Sequence, residues 1–377
     1  MRDLYLLILL TFLCHCTAAG ARVAVSLHAI SLGASTLTVG VLLGMYGFLP
    51  MLSAIAAGRL SDRIGARMPM LVGAAAIALG AFVPFLWPTL GALFVSSAVV
   101  GCGFMLYNVA MQNVAGHMGR PEDRATNLSI MALGFSFSIM VGPMLAGVSI
   151  DAIGHRNTFL VFALLPVFAV IALACGLLRL PHVERQRESR SLAVTDLLTD
   201  AFLLRIWITT GLLSVAWELY TFVIPVYGSE VGLTPTAIGL IMGSFSAAIL
   251  AVRVVLPLFA KRLNPLHAIA TTLIYAAALF VLFPLSSSAW VLAVLSFLLG
   301  LGLGIPQPLV IVLLHNSAPA GRVGEAIGIR QAIIYATQAF MPVAFGAGAS
   351  AFGLAAVFWA SALVFAGGGL YGRRGRR

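Results

Sequence analysis

Charged residues are scarce in this chain. Only 9% of the 377 residues are Asp, Glu, Lys or Arg, whereas 61% are hydrophobic, and the mean hydropathy is +1.05. A soluble globular domain has about a quarter of its residues charged, so this composition argues against a soluble fold. The apolar runs repeatedly reach the roughly 20 residues that a membrane-spanning helix needs. They lack the period-two alternation of a membrane β-barrel. We therefore predict an all-α integral membrane protein.

Residues for metal binding and catalysis are also few. The chain has four cysteines, all inside apolar segments: Cys14, Cys16, Cys102 and Cys175. The first two are separated by one residue, which is not a zinc spacing, and no second pair completes a site. There is no GxxxxGK[ST] phosphate-binding loop and no His, Asp and Glu cluster typical of a catalytic centre. We expect no metal, no cofactor, no ATP drive within this chain and no enzyme activity.

Twelve apolar segments predict twelve transmembrane helices in two six-helix bundles. The predicted bundles cover residues 1–179 and 203–377, and the polar stretch 180–202 is predicted to be a linker between them. The first segment has the pattern of a secretory signal, but eleven apolar segments follow it, which favours an uncleaved first helix.

The basic residues indicate an orientation. An even number of spans puts both termini on one side, and 18 of the 22 Lys and Arg residues fall on that side. The positive-inside rule then places both termini in the cytoplasm. The net charge of +10 is therefore an orientation signal and not a nucleic-acid footprint. We expect the lipid bilayer as a partner, no nucleic acid, and a monomer.

A weak internal repeat supports two related halves. At an offset of 199 residues and without a gap, three glycines of the first half align with three of the second: Gly33, Gly40 and Gly44 with Gly232, Gly239 and Gly243. Duplicated halves with a substrate site between them are a recurring feature of secondary transporters. The bundles are therefore predicted to be pseudo-symmetric.

One short stretch between the second and third helices concentrates charge. It reads GRLSDRIGAR, from Gly58 to Arg67, and the repeat places Lys261 where this stretch has Asp62. We expect its Arg residues to hold a loop in the cytoplasm. Its glycines, Gly58 and Gly65, would permit a tight turn.

This stretch resembles the motif G-x-L-a-D-r-x-G-r-[RK] of the major facilitator superfamily. The matching residues are Gly58, Leu60, Asp62, Arg63, Gly65 and Arg67. The resemblance extends over the whole chain, through the twelve spans, the linker and the repeat. It implies a secondary active transporter of the bacterial inner membrane that binds a small molecule. It also implies that Asp62 clasps the N-terminal end of the eleventh helix and a nearby Arg, for which Arg120 or Arg124 is our hypothesis.

A second motif lies in the fifth helix. Gly142-Pro143-Met144-Leu145-Ala146-Gly147 resembles the G-P-x-x-G-G element associated with antiporters, with departures at Ala146 and at Ser138, where that element has an upstream Gly. It indicates either export or a kinked helix that packs closely on a neighbour. The fourth helix lacks the Arg-x-x-Gln-Gly element of many proton/drug antiporters, which weakens a direct transfer of their mechanism.

Polar residues inside the spans are the candidates for binding. The resemblance places helices one, four, seven and ten around a central cavity. On these helices the candidates for substrate or proton binding are His15, Arg22, Asn108, Gln112, Glu218 and Gln307. Hydrogen bonding between helices is an equally common use of such residues. Two prolines flank Gln307, and they predict a break in the tenth helix that would free carbonyls toward the cavity. His315, further along that helix, is expected near the cytoplasmic end.

The charged residues within the spans leave alternatives open. Glu218 is expected near the midplane, about 16 Å along its helix. It could carry a coupling proton or meet a cationic substrate, or it could form a fixed ion pair with Arg22. Arg253 and Arg330 lie near cytoplasmic helix ends, so snorkelling or a gate contact is favoured for both over substrate binding.

These features predict proton-coupled efflux of an amphipathic drug or metabolite by alternating access. Import of a small metabolite or an organic anion is the alternative, since Arg22 could bind an anion. A transport-inactive membrane receptor or assembly factor is a second alternative, although the intact motif at Asp62 disfavours it.

Overall fold

The described residues fold into helices, several of which are joined by short turns. The computed structural model describes residues 2–117, 124–178, 180, 197, 200–258, 264–317 and 322–373. The described helices are α1 (Arg2–Ser31), α2 (Thr36–Ile64), α3 (Arg67–Leu86), α4 (Leu90–His117), the continuous run Arg124–Ala174 whose limbs before and after Gly154 are α5 and α6, α7 (Ala201–Glu230), α8 (Pro235–Val255), α9 (Pro265–Leu282), α10a (Ala289–Gly304) and α10b (Pro306–Ser317), α11 (Val323–Phe352) and α12 (Leu354–Arg373).

Length and hydropathy make these helices membrane spans. Among the described residues, eleven helices are long and apolar enough to cross a bilayer, and the longest window, Ile130–Ala174, has 45 residues. Gly154 breaks that run with φ 80° and ψ 167°, so it supplies two crossings. A helix satisfies its own backbone hydrogen bonds, which lipid cannot do, and this favours helix throughout the apolar segments. The twelve predicted crossings agree with this count.

The repeat seen in the sequence is present in the turns. Gly33 and Gly232 follow α1 and α7 with φ of 78° and 79°, and Gly154 and Gly353 follow α5 and α11 with φ of 80° and 83°. Glycine adopts such angles without the steric cost that a Cβ brings. Both pairs keep the offset of 199 residues. These four turns lie on the face opposite the chain termini, which we call the far face; the other is the terminal face.

Side-chain caps repeat with the same offset. Ser35 caps α2 by accepting a hydrogen bond from the backbone N–H of Thr38, and Thr234 caps α8 by accepting from that of Ala237. Each cap satisfies one of the backbone donors that a helix start leaves free. The second and eighth helices therefore begin in the same way in the two halves.

The two halves meet near the far face along two seams. In one seam, α2 packs against α11, with Gly44 against the carbonyl of Ala339. In the other, α8 packs against α5, with Gly239 against the carbonyl of Pro143. Small residues let helix backbones approach closely where lipid gives no hydrophobic driving force. We call these contacts the far-face seams.

Some predicted boundaries were wrong. The stretch from Gly58 to Ile64, predicted as loop, continues α2. Only Gly65 and Ala66 separate α2 from α3, so Gly65 makes the turn with φ 80° and Gly58 lies inside a helix. The seventh helix begins at Ala201, within the predicted linker, most of which lies outside the described residues. The tenth helix is interrupted at Ile305, between α10a and α10b, although Ile305 itself keeps helical angles, with φ −70° and ψ −46°.

Candidate functional site

A cavity of about 1100 Å³ lies between the two halves. It extends from the far-face seams toward the terminal face. Its first lining residue on α2 is Tyr46, which follows the seam residue Gly44, and its first on α8 is Met242, which follows the seam residue Gly239. The resemblance implied that helices one, four, seven and ten surround it. The structure adds residues of α2, α5, α8 and α11 to the lining, so each half of the chain lines the cavity with four helices.

An ion pair joins the halves inside the cavity. Arg22 of α1 donates from Nη2 to Oε2 of Glu218 of α7 over 2.8 Å, and the two side chains are 17% and 8% exposed. The guanidinium also lies over the ring of Tyr46, 5.7 Å from its centroid. Of the alternatives open for Glu218, its pairing with Arg22 is the one that this structure displays. Breaking such a pair from one side leaves an uncompensated buried charge.

His15 is held on the cavity wall by three neighbours. Its Nδ1 lies 2.6 Å from Oγ of Ser138, and its ring stacks on Phe104 and meets Phe135 edge-on at centroid distances of 4.9 and 4.8 Å. Ser138 is the residue that departs from the glycine of the fifth-helix element. Its hydroxyl gives His15 a partner that a glycine would lack.

The predicted amide candidates also reach the cavity. Asn108 and Gln112 both line it on α4, and Oδ1 of Asn108 is buried with no hydrogen-bond partner among the residues that the structure describes. Gln307 lines it on α10b and accepts a hydrogen bond from Arg253 over 3.1 Å. An amide can present either an acceptor or two donors, so Asn108 has unused capacity toward a ligand. The side chain of His315 lies outside the described residues.

Arg253 crosses between the halves and does not snorkel to the membrane surface. From α8 it donates to the carbonyl of Ala132 over 2.9 Å and to Oγ of Ser136, both on α5. With its bond to Gln307, this guanidinium spans three helices on the terminal-face side of the seams. The contact has the form of the gate interaction that its depth suggested.

Sequence reasoning singled out Arg330 for snorkelling or a gate contact, but it missed the other polar residues on the same side of α11. Arg330, Gln331, Tyr335 and Gln338 all line the cavity. Gln331, Tyr335 and Gln338 are spaced by four and three residues, which places them on one helical face, and Arg330 directly precedes Gln331. Arg330 makes no hydrogen bond or ion pair within the described part of the chain, and its Nε is buried. The spacing was readable in the sequence, but nothing there showed that this face of the helix turns inward.

The motif from Gly58 to Arg67 is described only in part. Arg67 donates from Nε and Nη2 to the carbonyl of Leu173, over 2.9 and 2.7 Å, and so binds the end of α6. A cation at a helix C-terminus stabilises the exposed carbonyls there. The side chains of Asp62, Arg63, Arg120 and Arg124 lie outside the described residues, so the clasp stays a prediction.

The fifth-helix motif lies in a far-face seam. Gly142 packs on α1 against the carbonyl of Cys16, and Gly147 packs on α8 against that of Pro235. The second half repeats this packing at the same offset of 199 residues, since Gly346 of α11 contacts the carbonyl of Thr36. The motif therefore forms close helix contacts here, as one of its two interpretations proposed.

The seams also carry matching hydrogen bonds. Asp151, at the end of α5, accepts from the backbone N–H of Thr236 in α8 over 2.7 Å. At the symmetric place, Ser350 of α11 accepts from the backbone N–H of Leu37 over 3.2 Å. One seam is thus closed by a charged acceptor and the other by a neutral one, and hydrogen bonds to charged groups are the stronger.

Comparisons with known proteins bear on the whole chain. The family model of the Major Facilitator Superfamily matches residues 7–286 and 206–374. The multi-drug resistance efflux pump PmrA of Streptococcus pneumoniae is 23% identical over 353 residues, covering 92% of this chain and 83% of that protein. The class D tetracycline resistance protein of Salmonella ordonez is 26% identical over 317 residues, covering 81% and 78%. A crystal structure of a POT family transporter in complex with 5-aminolevulinic acid superposes with a TM-score of 0.85 at 16% identity, covering 98% and 95%.

Proposed function

This chain belongs to the Major Facilitator Superfamily, and from that premise we propose that it exports an amphipathic small molecule in exchange for protons. It is a multi-pass membrane transporter and not an enzyme. The observation that carries the proposal is a buried acid, Glu218, paired across the halves inside a cavity that the far-face seams close.

Alternating access follows from the symmetry of the seams. Because the two seams are copies of one arrangement, a rocking motion of one half against the other can open both together. Opening them would extend the cavity to the far face. Contacts on the terminal-face side, such as that of Arg253, would then hold the halves together there.

Glu218 is proposed to couple this motion to protons. When the carboxylate takes up a proton it loses its charge, and the attraction to Arg22 that links the halves weakens. A proton taken up from one side and released to the other can thus drive the change of conformation. Since the two groups are 2.8 Å apart in this state, deprotonated Glu218 favours the conformation with closed far-face seams.

The direction is proposed from the motifs, the basic residues and the relatives. With both termini in the cytoplasm of a bacterial inner membrane, the cavity extends toward the cytoplasm and would load there. Two relatives that match most of the chain are described as a multi-drug resistance efflux pump and a tetracycline resistance protein. We propose that the protein works as a monomer, because both halves of the cavity come from one chain.

Transport in proteoliposomes tests this function. The purified protein is screened against a pool of amphipathic compounds, with and without a pH gradient, alongside Glu218→Gln and the matched control Glu230→Gln, an exposed acid on the same helix. We expect the parent and the control to show transport driven by the pH gradient. We expect transport by Glu218→Gln to lose its dependence on pH. Unchanged pH dependence in that variant would rule out the proton role. No transport of any compound by the parent would contradict export.

A further inference from the structure

The cavity has an excess of positive charge. Among the described residues its charged lining consists of three guanidiniums, those of Arg22, Arg253 and Arg330, and one carboxylate, that of Glu218. That carboxylate is already bound to Arg22. Two cations therefore remain without an acid in an environment where unpaired charge is costly.

The two remaining cations differ in their surroundings. Arg253 is hydrogen-bonded to the neutral acceptors of Ala132, Ser136 and Gln307. Arg330 has no hydrogen-bond or ion-pair partner in the described residues, although its Nε is buried. The described acid on the same helix as Arg330, Glu325, is bound to Arg322. Arg330 is thus the cation whose donors are free to bind a ligand.

We propose that Arg330 binds an oxyanion carried by the transported molecule, which is therefore an amphipathic organic anion. A guanidinium presents parallel N–H donors that match a carboxylate or a similar oxyanion in a bidentate geometry. The anion would offset the unpaired charge that the cavity otherwise leaves uncompensated. This inference rests on the proposed transport function, and it names the substrate class of the same cavity.

The rest of the lining calls for an apolar body on that anion. Aromatic side chains of Phe104, Trp217 and Phe245 face the cavity from three helices. The cavity volume of about 1100 Å³ lies just above the range of ligand pockets, which is roughly 300 to 1,000 Å³. A bare inorganic anion would leave almost all of this space empty.

Three probes that share one apolar body test the charge preference. Naphthylacetate, naphthylacetamide and naphthylethylamine carry a negative, a neutral and a positive group, and their binding to the purified full chain in detergent is measured by thermal shift. We expect the carboxylate to bind at least about tenfold more tightly than the amide, as a charge-assisted bidentate contact allows. The amine should bind most weakly. Sulfate alone should bind far more weakly than naphthylacetate.

Variants assign the preference to one residue. Arg330→Gln should lose the preference for the carboxylate while it binds the amide as the parent does, and Arg330→Lys should retain part of it. Arg373→Gln, which removes a cation bonded to Thr271 outside the cavity, is the matched control and should bind as the parent does. If Arg330→Gln does not fold, the order of the three probes on the parent still decides the substrate class.

Each result has a definite meaning. The proposal is wrong if naphthylacetate does not bind, if it binds no more tightly than the amide, if sulfate binds as well, or if a folded Arg330→Gln keeps the preference. Gradient-driven export of the amine alone would overturn the anion and leave the transport function standing. Binding of the acid with no transport of any compound would overturn the transport function and leave the anion site standing.

Discussion

Substitution of Gly239 by alanine should open the far face. A Cβ at this position would lie 2.6 Å from the carbonyl oxygen of Pro143 and 3.2 Å from Cα of Met144. Ordinary contact begins at 3.4 Å, so the two helices must separate by about 0.8 Å at this seam, the difference between 3.4 and 2.6 Å. Overpacking of this kind costs about 1–3 kcal/mol. Only the conformation with closed seams bears that cost.

The cost converts into a population shift. Because each 1.4 kcal/mol changes an equilibrium constant about tenfold, the ratio of far-face-open to far-face-closed molecules should rise about five- to hundredfold. A cysteine placed in the cavity by Ser214→Cys, in a background with the exposed Cys175 replaced by serine, reports this change. A membrane-impermeant maleimide added on the far-face side should label it correspondingly faster in Gly239→Ala.

A matched glycine serves as the control. A Cβ on Gly367 of α12 would meet no atom within 4 Å, so Gly367→Ala changes helix propensity without changing the packing. Its labelling rate should equal that of the parent. Equal rates in Gly239→Ala and Gly367→Ala would refute the inference that this seam keeps the far face closed.

Three further predictions concern polar contacts between the halves. Arg22→Gln and Glu218→Gln should each destabilise the detergent-solubilised protein by about 3 kcal/mol, the lower end of the range for breaking a buried ion pair, because Arg22 is 17% exposed. In thermal melts the double variant should lose less stability than the two single variants together, and additive losses would contradict a pair. Asp151→Asn should weaken the hydrogen bond from the backbone N–H of Thr236 by about 1 kcal/mol and should speed labelling from the far face more than Ser350→Ala does. The reverse order would contradict the inference that the charged acceptor closes its seam more strongly. Arg253→Gln should speed cavity labelling from the terminal face, and an unchanged rate would show that this contact is no barrier.

Most of the fold could be predicted from sequence because the membrane restricts the choices. Apolar length determines each span, and even the repeat was visible, with Gly40 and Gly239 aligned before any packing was known. The end of α2 could not be predicted in this way. The charges of its last turns have the composition of a loop, yet they continue the helix to Ile64, and Gly65 alone provides the turn.

The site could be predicted less completely. Arg22 and Glu218 were identified from their depth, since ionisable residues at the midplane usually face one another or a cavity. Arg330 was predicted to snorkel or to make a gate contact, because depth along a helix does not give its rotation about the axis. That rotation is determined here by the packing of α11 on α2, through contacts such as that of Ala339 with Gly44, which involve residues far apart in the sequence.

The turn at Gly154 couples the conformation of this protein to the thickness of the surrounding membrane. It joins α5 to α6 with no loop, and Gly353 alone joins α11 to α12, so we expect each pair to move as one unit. The sixth helix presents Leu164 and Phe168 outward, where lipid contacts them. If the seams open as proposed, α6 and α12 would move with α5 and α11 through the surrounding acyl chains, and hydrophobic mismatch costs fractions of a kcal/mol per Å. Bilayer thickness therefore biases the balance between the two conformations, and the turnover rate should depend on acyl-chain length even at constant pH gradient.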